Sequence, residues 1–287
     1  MRFVFIQAHA RIYRVRTMCR VLEVSRAGYY AWRARPLAER HRENAALAEA
    51  IRQRHVGYRR FYGSPRMRDE LRDAGIPCSE NRVARVMRMA GIRAQQTPAF
   101  RVTTQSMHRE PIAANVLQRD FTVGHVRPDT VWMADITYVP TREGWLYLAV
   151  ILDHATRRVV GWSLRTRLEQ ELACAAFRMA VTHRGAAPTL HHSDRGVQYA
   201  SGAYRTLLQQ RGVSASMSRK GDCWDNAVVE SFFATLTKEC LEERLFDSRT
   251  EAQLAIFEFI EVWYNRQRRH SSLGNRSPAA YEKSLAA

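Results

Sequence analysis

Three acidic side chains stand where a carboxylate is costly to place. Asp135 interrupts an apolar run, Val131-Trp132-Met133-Ala134-Asp135-Ile136-Thr137-Tyr138-Val139. A charge there is expensive unless it is paired or bound to a metal. Asp194 lies where a short strand, Thr189–Ser193, ends, and Glu230 lies among Val228, Val229, Phe232 and Phe233. One such acid is commonly a salt-bridge residue. Three in the order strand, strand, helix point to a shared divalent cation. Phosphoryl transfer needs a nucleophile oxygen in line with phosphorus while negative charge accumulates, and two carboxylate-held metals answer that need. Mg²⁺ takes oxygen ligands and keeps waters, so a few carboxylates suffice.

The neighbours of these acids have simpler readings. Asp153 precedes a turn at His154–Thr156 and is expected to close it. Asp222, Asp225 and Asn226 open the last core helix, with Asp225 the natural N-cap. Gly221 gives that loop freedom to approach DNA, and Arg219 and Lys220 are placed to meet phosphate. Arg195 and Gln198 flank Asp194 and fit either substrate contact or solvent exposure. His191 and His192 are adjacent, a poor geometry for chelating one ion.

The elements that position the acids follow from periodicity. Thr130–Val139, Trp145–Asp153 and Arg157–Leu164 are rich in β-branched and aromatic residues and are separated by short turns, so they must run antiparallel. Then come a helix over Glu169–His183, a strand over Thr189–Ser193, a helix over Ala203–Gln210, a strand over Val213–Met217 and a helix over Asp225–Glu239. Later strands reached through helices suit a mixed five-stranded sheet of the RNase-H kind. An amphipathic helix over Arg249–Tyr264 and a basic tail (Arg266, Arg268, Arg269, His270) complete the chain. We expect three parts: a basic helical region over 1–120, the α/β core over 121–245 and a C-terminal helix and tail over 246–287.

Charge separates the halves. The net charge is +17. Residues 1–120 carry 24 Arg, no Lys and 10 acids, whereas residues 121–287 carry 21 Lys and Arg against 18 acids. The first part is therefore an electrostatic grip for a polyanion. Thr17–Leu22, a turn at Glu23–Val24 and a helix capped by Ser25 read as either a helix-turn-helix or a plain helical hairpin. A helix over Ala45–Arg54 is followed by one starting at Ser64-Pro65, with Ser64 as N-cap, and ending near Gly75. Ser79 then caps a helix that stops before Gly91, with Val83, Val86 and Met87 on one face and Arg82, Arg85 and Arg88 largely on another. Those arginines suit a groove-binding helix. Residues 94–120 read as a linker.

Other classes lose ground. The five cysteines form no C-x-x-C pair and lack zinc-finger spacing, which fits reduced thiols and a cytoplasmic location. The longest apolar run, Trp145–Leu152, is too short to span a bilayer. Residues Met1–Ala10 have no secretory cleavage pattern.

Three segments, W-M-A-D-I-T-Y-V, H-S-D-R-G-V-Q-Y and G-D-C-W-D-N-A-V-V-E-S-F-F-A-T-L, resemble the catalytic core of DDE transposases and retroviral integrases. More narrowly, the chain resembles the second-frame (OrfB) transposases of the IS-three type of bacterial insertion sequence. Thirty-five residues separate Asp194 from Glu230, as in that family. The early C-R-V-L-E-V-S-R-A-G-Y-Y-A-W, the Y-G-S-P-R and the tail W-Y-N-R-Q-R-R-H-S-S-L-G-N-R-S-P fit as well, so the likeness covers nearly the whole chain. It implies an RNase-H-like fold and two Mg²⁺ or Mn²⁺ ions, with Asp135 bridging both, Asp194 on one and Glu230 on the other. It implies two reactions: water cuts at an element end, then the freed 3′-OH attacks another strand. It implies DNA as partner, a fusion with an upstream-frame (OrfA) product whose module this chain is expected to lack, a homo-oligomer when active, and a cytoplasmic, nucleoid-associated setting in a bacterium. One departure is visible. The family often has a basic residue seven positions after the glutamate; here that position is Thr237, and Lys238 follows. One helical residue turns about 100°, so Lys238 faces elsewhere unless the helix shifts. We take Lys238 as a further DNA contact.

Overall fold

The computed structural model describes residues 1–34, 39–95, 111–116, 126–219, 226–242 and 245–286. Lys220, Asp222, Cys223 and Asp225, and most of the expected linker, lie outside the described residues.

Three helices open the chain: α1 (Arg2–His9), α2 (Val15–Val21) and α3 (Arg26–Ala34). They close a small core of their own from Ile6, Met18, Cys19 and Tyr29. The turn between α2 and α3 places Glu23 at φ 52, and the Ser25 hydroxyl accepts from the Gly28 amide at 2.9 Å, as the capping residue should. Next come α4 (Glu39–Gly57), α5 (Ser64–Asp73) and α6 (Glu80–Met89). The Ser79 hydroxyl caps α6 by accepting from the Arg82 amide. Gly75 and Gly91 end α5 and α6 at positive φ, where a Cβ would be strained. The start of α5 differs by one residue from expectation: Gly63 is the N-cap, and Ser64-Pro65 are its first two residues.

The core is a five-stranded sheet made of β1 (Val131–Thr141), β2 (Gly144–Asp153), β3 (Val159–Arg165), β4 (Leu190–Ser193) and β5 (Ser214–Met217), in the order β3-β2-β1-β4-β5. The first three strands are antiparallel, and β4 and β5 join in parallel. This is the mixed sheet expected, with the crossovers supplied by α7 (Gln170–Arg184), then a short α8 (Val197–Ala200) and α9 (Gly202–Gln210). The α8 turn goes beyond the sequence reading.

Period-two alternation divides the sheet between two cores. Along β2, Leu146, Leu148, Val150 and Leu152 face one layer, whereas Ala149 and Ile151 face the other. The second layer is α7 to α9. The first is α10 (Ala227–Leu236), which widens into a π-helical turn over Thr237–Leu241, and α11 (Arg249–Phe257), which widens over Glu258–Tyr264. The same apolar cluster takes in Leu47, Ile51, Met67, Leu71 and Val83 of α4 to α6, and Tyr62 from the connection between α4 and α5. The chain ends in α12 (Pro278–Leu285), capped by Ser277 and absent from the sequence expectation.

The basic tail is not free to act as one. Arg268 donates from Nε to Glu239 at 2.9 Å, with both side chains buried. Arg269 pairs with Glu70 and Asp73 of α5, and its amide donates to the Tyr62 hydroxyl at 2.8 Å. Asn265 holds the β3 edge with a matched pair of bonds: Oδ1 accepts from the Val159 amide and Nδ2 donates to the Val159 carbonyl, each at 2.9 Å. These residues fasten the tail to the core and to α5.

Candidate active site

Asp135 is placed by β1. It shares its parity with Val131, Met133 and Val139, which face the layer that contains α10. Parallel pairing sets Ala134 opposite Ser193. The next residues along the two strands are Asp135 and Asp194, so the two acids emerge side by side where β4 ends. Asp135 Oδ1 accepts from the Ile136 amide at 2.8 Å, and Asp194 Oδ1 accepts from the Gly196 amide at 2.9 Å. A Cβ at residue 196 would sit 3.0 Å from that same oxygen, so glycine keeps the carboxylate in this pose. Glu230 is half-buried on α10.

Asn226 registers α10 against the strands. It is the N-cap residue, but its side chain caps nothing. Instead Nδ2 donates to the Ala134 carbonyl at 3.2 Å, one residue before Asp135. The sequence reading placed Asn226 at the start of this helix but gave the capping role to Asp225, which lies outside the described residues. Asn immediately before a helix signals a cap, and nothing local signals the carbonyl that it holds instead.

The electrostatics are those of crowded acids. Burial pushes the Asp135 carboxyl well above the usual range, and Asp194 and Glu230 push it further. Burial raises Glu230 too. Tyr199 is buried, and its hydroxyl is raised by burial, by Tyr204 and by both aspartates. Among the described residues no Lys, Arg or His is paired with Asp135 or Glu230. The donor set is all carboxylate oxygen, the chemistry that suits a hard divalent cation. No group of three His, Cys, Asp or Glu side chains among the described residues is already arranged to hold one.

The remaining candidates separate clearly. Asp153 is buried and closes its turn as expected, accepting from the Asp129 amide, the Thr156 amide and the Thr156 hydroxyl. His191 and His192 serve opposite sides of β4: His191 Nε2 meets the Tyr204 hydroxyl at 2.9 Å, and His192 meets Ser216 and Ser218. Arg195 ties the end of β4 to that of β5 by donating to the Ser218 carbonyl at 2.6 Å, and Gln198 is buried. Arg219 is exposed. On α6, Arg82 departs from the expected face. Its guanidinium reaches Glu43 at 2.7 Å and Asn44 at 3.1 Å, because the helix phase turns it toward α4. Arg85 and Arg88 stay exposed. Lys238 lies in the π-helical turn, so the helix does shift there; its side chain lines a cavity of about 390 Å³ with Arg59, Arg60, Glu239 and Glu258.

A mixed five-stranded sheet that brings acids from β1 and β4 together, with a third on the helix after β5, defines an integrase core. Residues 125–223 match the integrase core domain family, residues 211–278 match a second integrase core domain family, and residues 41–100 match an HTH-like domain. Transposase InsF for insertion sequence IS3A from Escherichia coli (strain K12) is 40% identical over 295 aligned residues, covering 100% of both chains. The Insertion element IS600 uncharacterized 31 kDa protein from Shigella sonnei is 44% identical over 93% of this chain and 97% of that one. A solved structure of the HTLV-2 integrase catalytic core domain in complex with magnesium aligns with 15% identity and a TM-score of 0.43, over 55% of this chain and 98% of that one. The chain belongs to the IS3 family of insertion-sequence transposases, enzymes of the polynucleotidyl transferase class.

Proposed function

We propose that Asp135, Asp194 and Glu230 form the catalytic centre for metal-dependent DNA 3′-end cleavage and strand transfer during transposition of an insertion sequence. The observation that carries this is the registration of the acids: Asp135 and Asp194 follow a paired Ala134 and Ser193, and Asn226 ties the Glu230 helix to the Ala134 carbonyl. Two Mg²⁺ or Mn²⁺ ions, held by Asp135, Asp194 and Glu230, would neutralise charge at phosphorus and activate the attacking oxygen. The protein's own part is positional. The strand register fixes the spacing of the aspartates, Gly196 holds Asp194, and α10 delivers Glu230. In the first reaction a water oxygen bonds to phosphorus and the 3′ oxygen leaves as a hydroxyl. In the second that hydroxyl attacks another strand, and the displaced strand leaves through its own oxygen.

DNA is the partner, gripped in part by Arg85 and Arg88 of α6 and by Arg219, Lys220 and Lys238. An upstream-frame OrfA product, fused by frameshifting, would add recognition of the element ends, and synapsis of two ends calls for a homo-oligomer. No described helix is long and apolar enough to cross a membrane; a cytoplasmic, nucleoid-associated setting is part of this proposal.

The test is isosteric. Asp135→Asn and Glu230→Gln each remove a metal-binding charge and keep the side-chain volume. Strand transfer of a pre-cut 3′-OH end in Mg²⁺ should fall to background in both, with DNA binding retained. Joining by either purified variant overturns the assignment. Cleavage by the wild type without joining would favour a stand-alone nuclease instead.

A further inference from the structure

The acids are not the only polar groups buried at the end of β4. The chain leaves Asp194 through Gly196 and enters the α8 turn, where the Tyr199 amide donates to the Gly196 carbonyl at 3.0 Å. Tyr199 is 3% exposed. Its ring packs edge-on to Tyr204, with centroids 5.4 Å apart, and lies 6.4 Å from the His191 ring. These contacts account for the ring and not for the hydroxyl. The hydroxyl oxygen is covered and has no hydrogen-bond partner among the described residues. The Tyr204 hydroxyl and His191 Nε2 are already engaged with each other at 2.9 Å. A buried hydroxyl that pairs with nothing is costly, and phenylalanine would fill the same space without that cost. Burial, then Tyr204, then Asp135 and Asp194 hold the proton on it, so both aspartates lie within its electrostatic reach.

A second such atom lies on the α10 side. Asn226 is 3% exposed, and its Nδ2 is spent on the Ala134 carbonyl. A carbonyl only accepts, so this bond fixes which end of the amide is nitrogen. Oδ1 is buried and has no partner among the described residues. Asn226 stands four residues, about one helical turn, before Glu230. A hydroxyl from the α7–α9 layer and an amide oxygen from the α10 layer thus border the carboxylates, both without partners.

What they lack is what a hydrated cation brings. Asp135 and Asp194 each have one oxygen occupied by a backbone amide, that of Ile136 and that of Gly196. Mg²⁺ held by a few carboxylates keeps several waters. Those waters donate hydrogen bonds and need acceptors, and outer partners of this kind fix the groups around a metal. A hydroxyl is both donor and acceptor. The Tyr199 oxygen can accept from such a water while its proton turns to an aspartate oxygen, and Asn226 Oδ1 can accept from another.

We propose that Tyr199 is a positioning residue of the active centre, whose hydroxyl holds a water of the bound cation against Asp135 and Asp194. The proposal rests on these acids being the metal site.

The test compares the wild type with Tyr199→Phe, which keeps the ring and deletes one oxygen. Mn²⁺ is titrated by the electron paramagnetic resonance of the free ion. The full chain is bound to a DNA end whose 3′ terminus lacks its hydroxyl, so nothing turns over. Affinity at the sites that Asp135→Asn abolishes should fall roughly tenfold in Tyr199→Phe, as on losing an outer partner of a metal ligand. Unchanged affinity overturns the proposal. In strand transfer, the Mg²⁺ concentration for half-maximal rate should rise by a similar factor, with the rate recovered at saturating Mg²⁺. A rate that saturating Mg²⁺ does not restore places the role of Tyr199 elsewhere and overturns the proposal. Without metal, the Tm of Tyr199→Phe should equal or exceed that of the wild type, because an unpaired hydroxyl is gone. A lower Tm shows that the hydroxyl has a structural partner of its own, and overturns the proposal as well. Failure of the catalytic assignment looks different: Asp135→Asn would then bind Mn²⁺ as the wild type does and still join DNA, whatever Tyr199→Phe does.

Discussion

Two neighbouring histidines show how a single strand residue is bound to its layer. His191 is buried against Phe177 and Tyr204, and burial, then His192, lower its pKa to about 3. The folded chain therefore holds it neutral, whereas an unfolded histidine titrates near 6.5. With the folded value depressed, its contribution is complete above about pH 6.5 and is lost as pH falls toward 3. Each pH unit in that window is worth roughly 1.4 kcal/mol for one such group. His191→Gln keeps an acceptor for the Tyr204 hydroxyl and cannot titrate. Urea midpoints taken between pH 7 and 4 should decline less steeply in that variant, by up to one proton's worth of slope. Equal slopes for the two proteins would show that His191 is not the titrating group. Asp135 presents the opposite problem. It needs its charge for function but is surrounded by other acids, and the isosteric Asn variant tests function and not stability.

At the scale of elements, β3 packs closely on α7 at Gly161. A Cβ at Gly161 would press into the Ala176 carbonyl and lie 2.7 Å from the Ala180 Cβ. Neither neighbour can swing aside, so Gly161→Ala should cost about 1–3 kcal/mol, read as a lowered denaturant midpoint with an unchanged m-value. Elements of this kind were legible where local chemistry decides them. Ser79 and Gly91 bracket α6 as their caps require, and the three antiparallel strands follow from short turns between β-rich runs. The acids were legible because Asp135 and Glu230 sit in apolar runs that offer no local reason for a charge. Long-range commitments were not legible. Arg82 looks like a groove-facing arginine until α4 brings Glu43 to it from 39 residues away. Arg269 reads as a basic tail until it meets Glu70, 199 residues earlier. Asn226 was placed at its helix start but given no role, because the carbonyl of β1 that it holds is one that no local pattern displays. α12 was missed although Ser277-Pro278 repeats the helix-start signal used for α5.

At the scale of the whole molecule, α4 to α6 and the integrase core share one apolar cluster, whereas α1 to α3 keep their own. Arg269 reinforces the joint: it and Glu70 are almost fully covered, at 13% and 11% side-chain exposure, and Tyr58 also donates to Glu70. Breaking a buried pair by removing one partner typically costs 3–5 kcal/mol, because the other charge is left behind. Arg269→Ala should therefore lower a single calorimetric transition common to α4–α6 and the sheet, and not release one from the other at a separate temperature. Two well-resolved transitions in the wild type would show that the shared cluster does not couple them.

The widened turn at Thr237–Leu241 has a consequence for length. A π-helical turn holds one residue more than an α-helical turn. Upstream of it, Glu230 is held by the registration of α10 on β1; within it, two residues past Thr237, Glu239 is held by Arg268 and Trp263. A residue can therefore be taken in or given up at Thr237, between these two anchors. Deleting Thr237 from this chain would bring the lysine to the seventh position after the glutamate and should leave in place both the helix that carries Glu230 and the tail that fastens the molecule together.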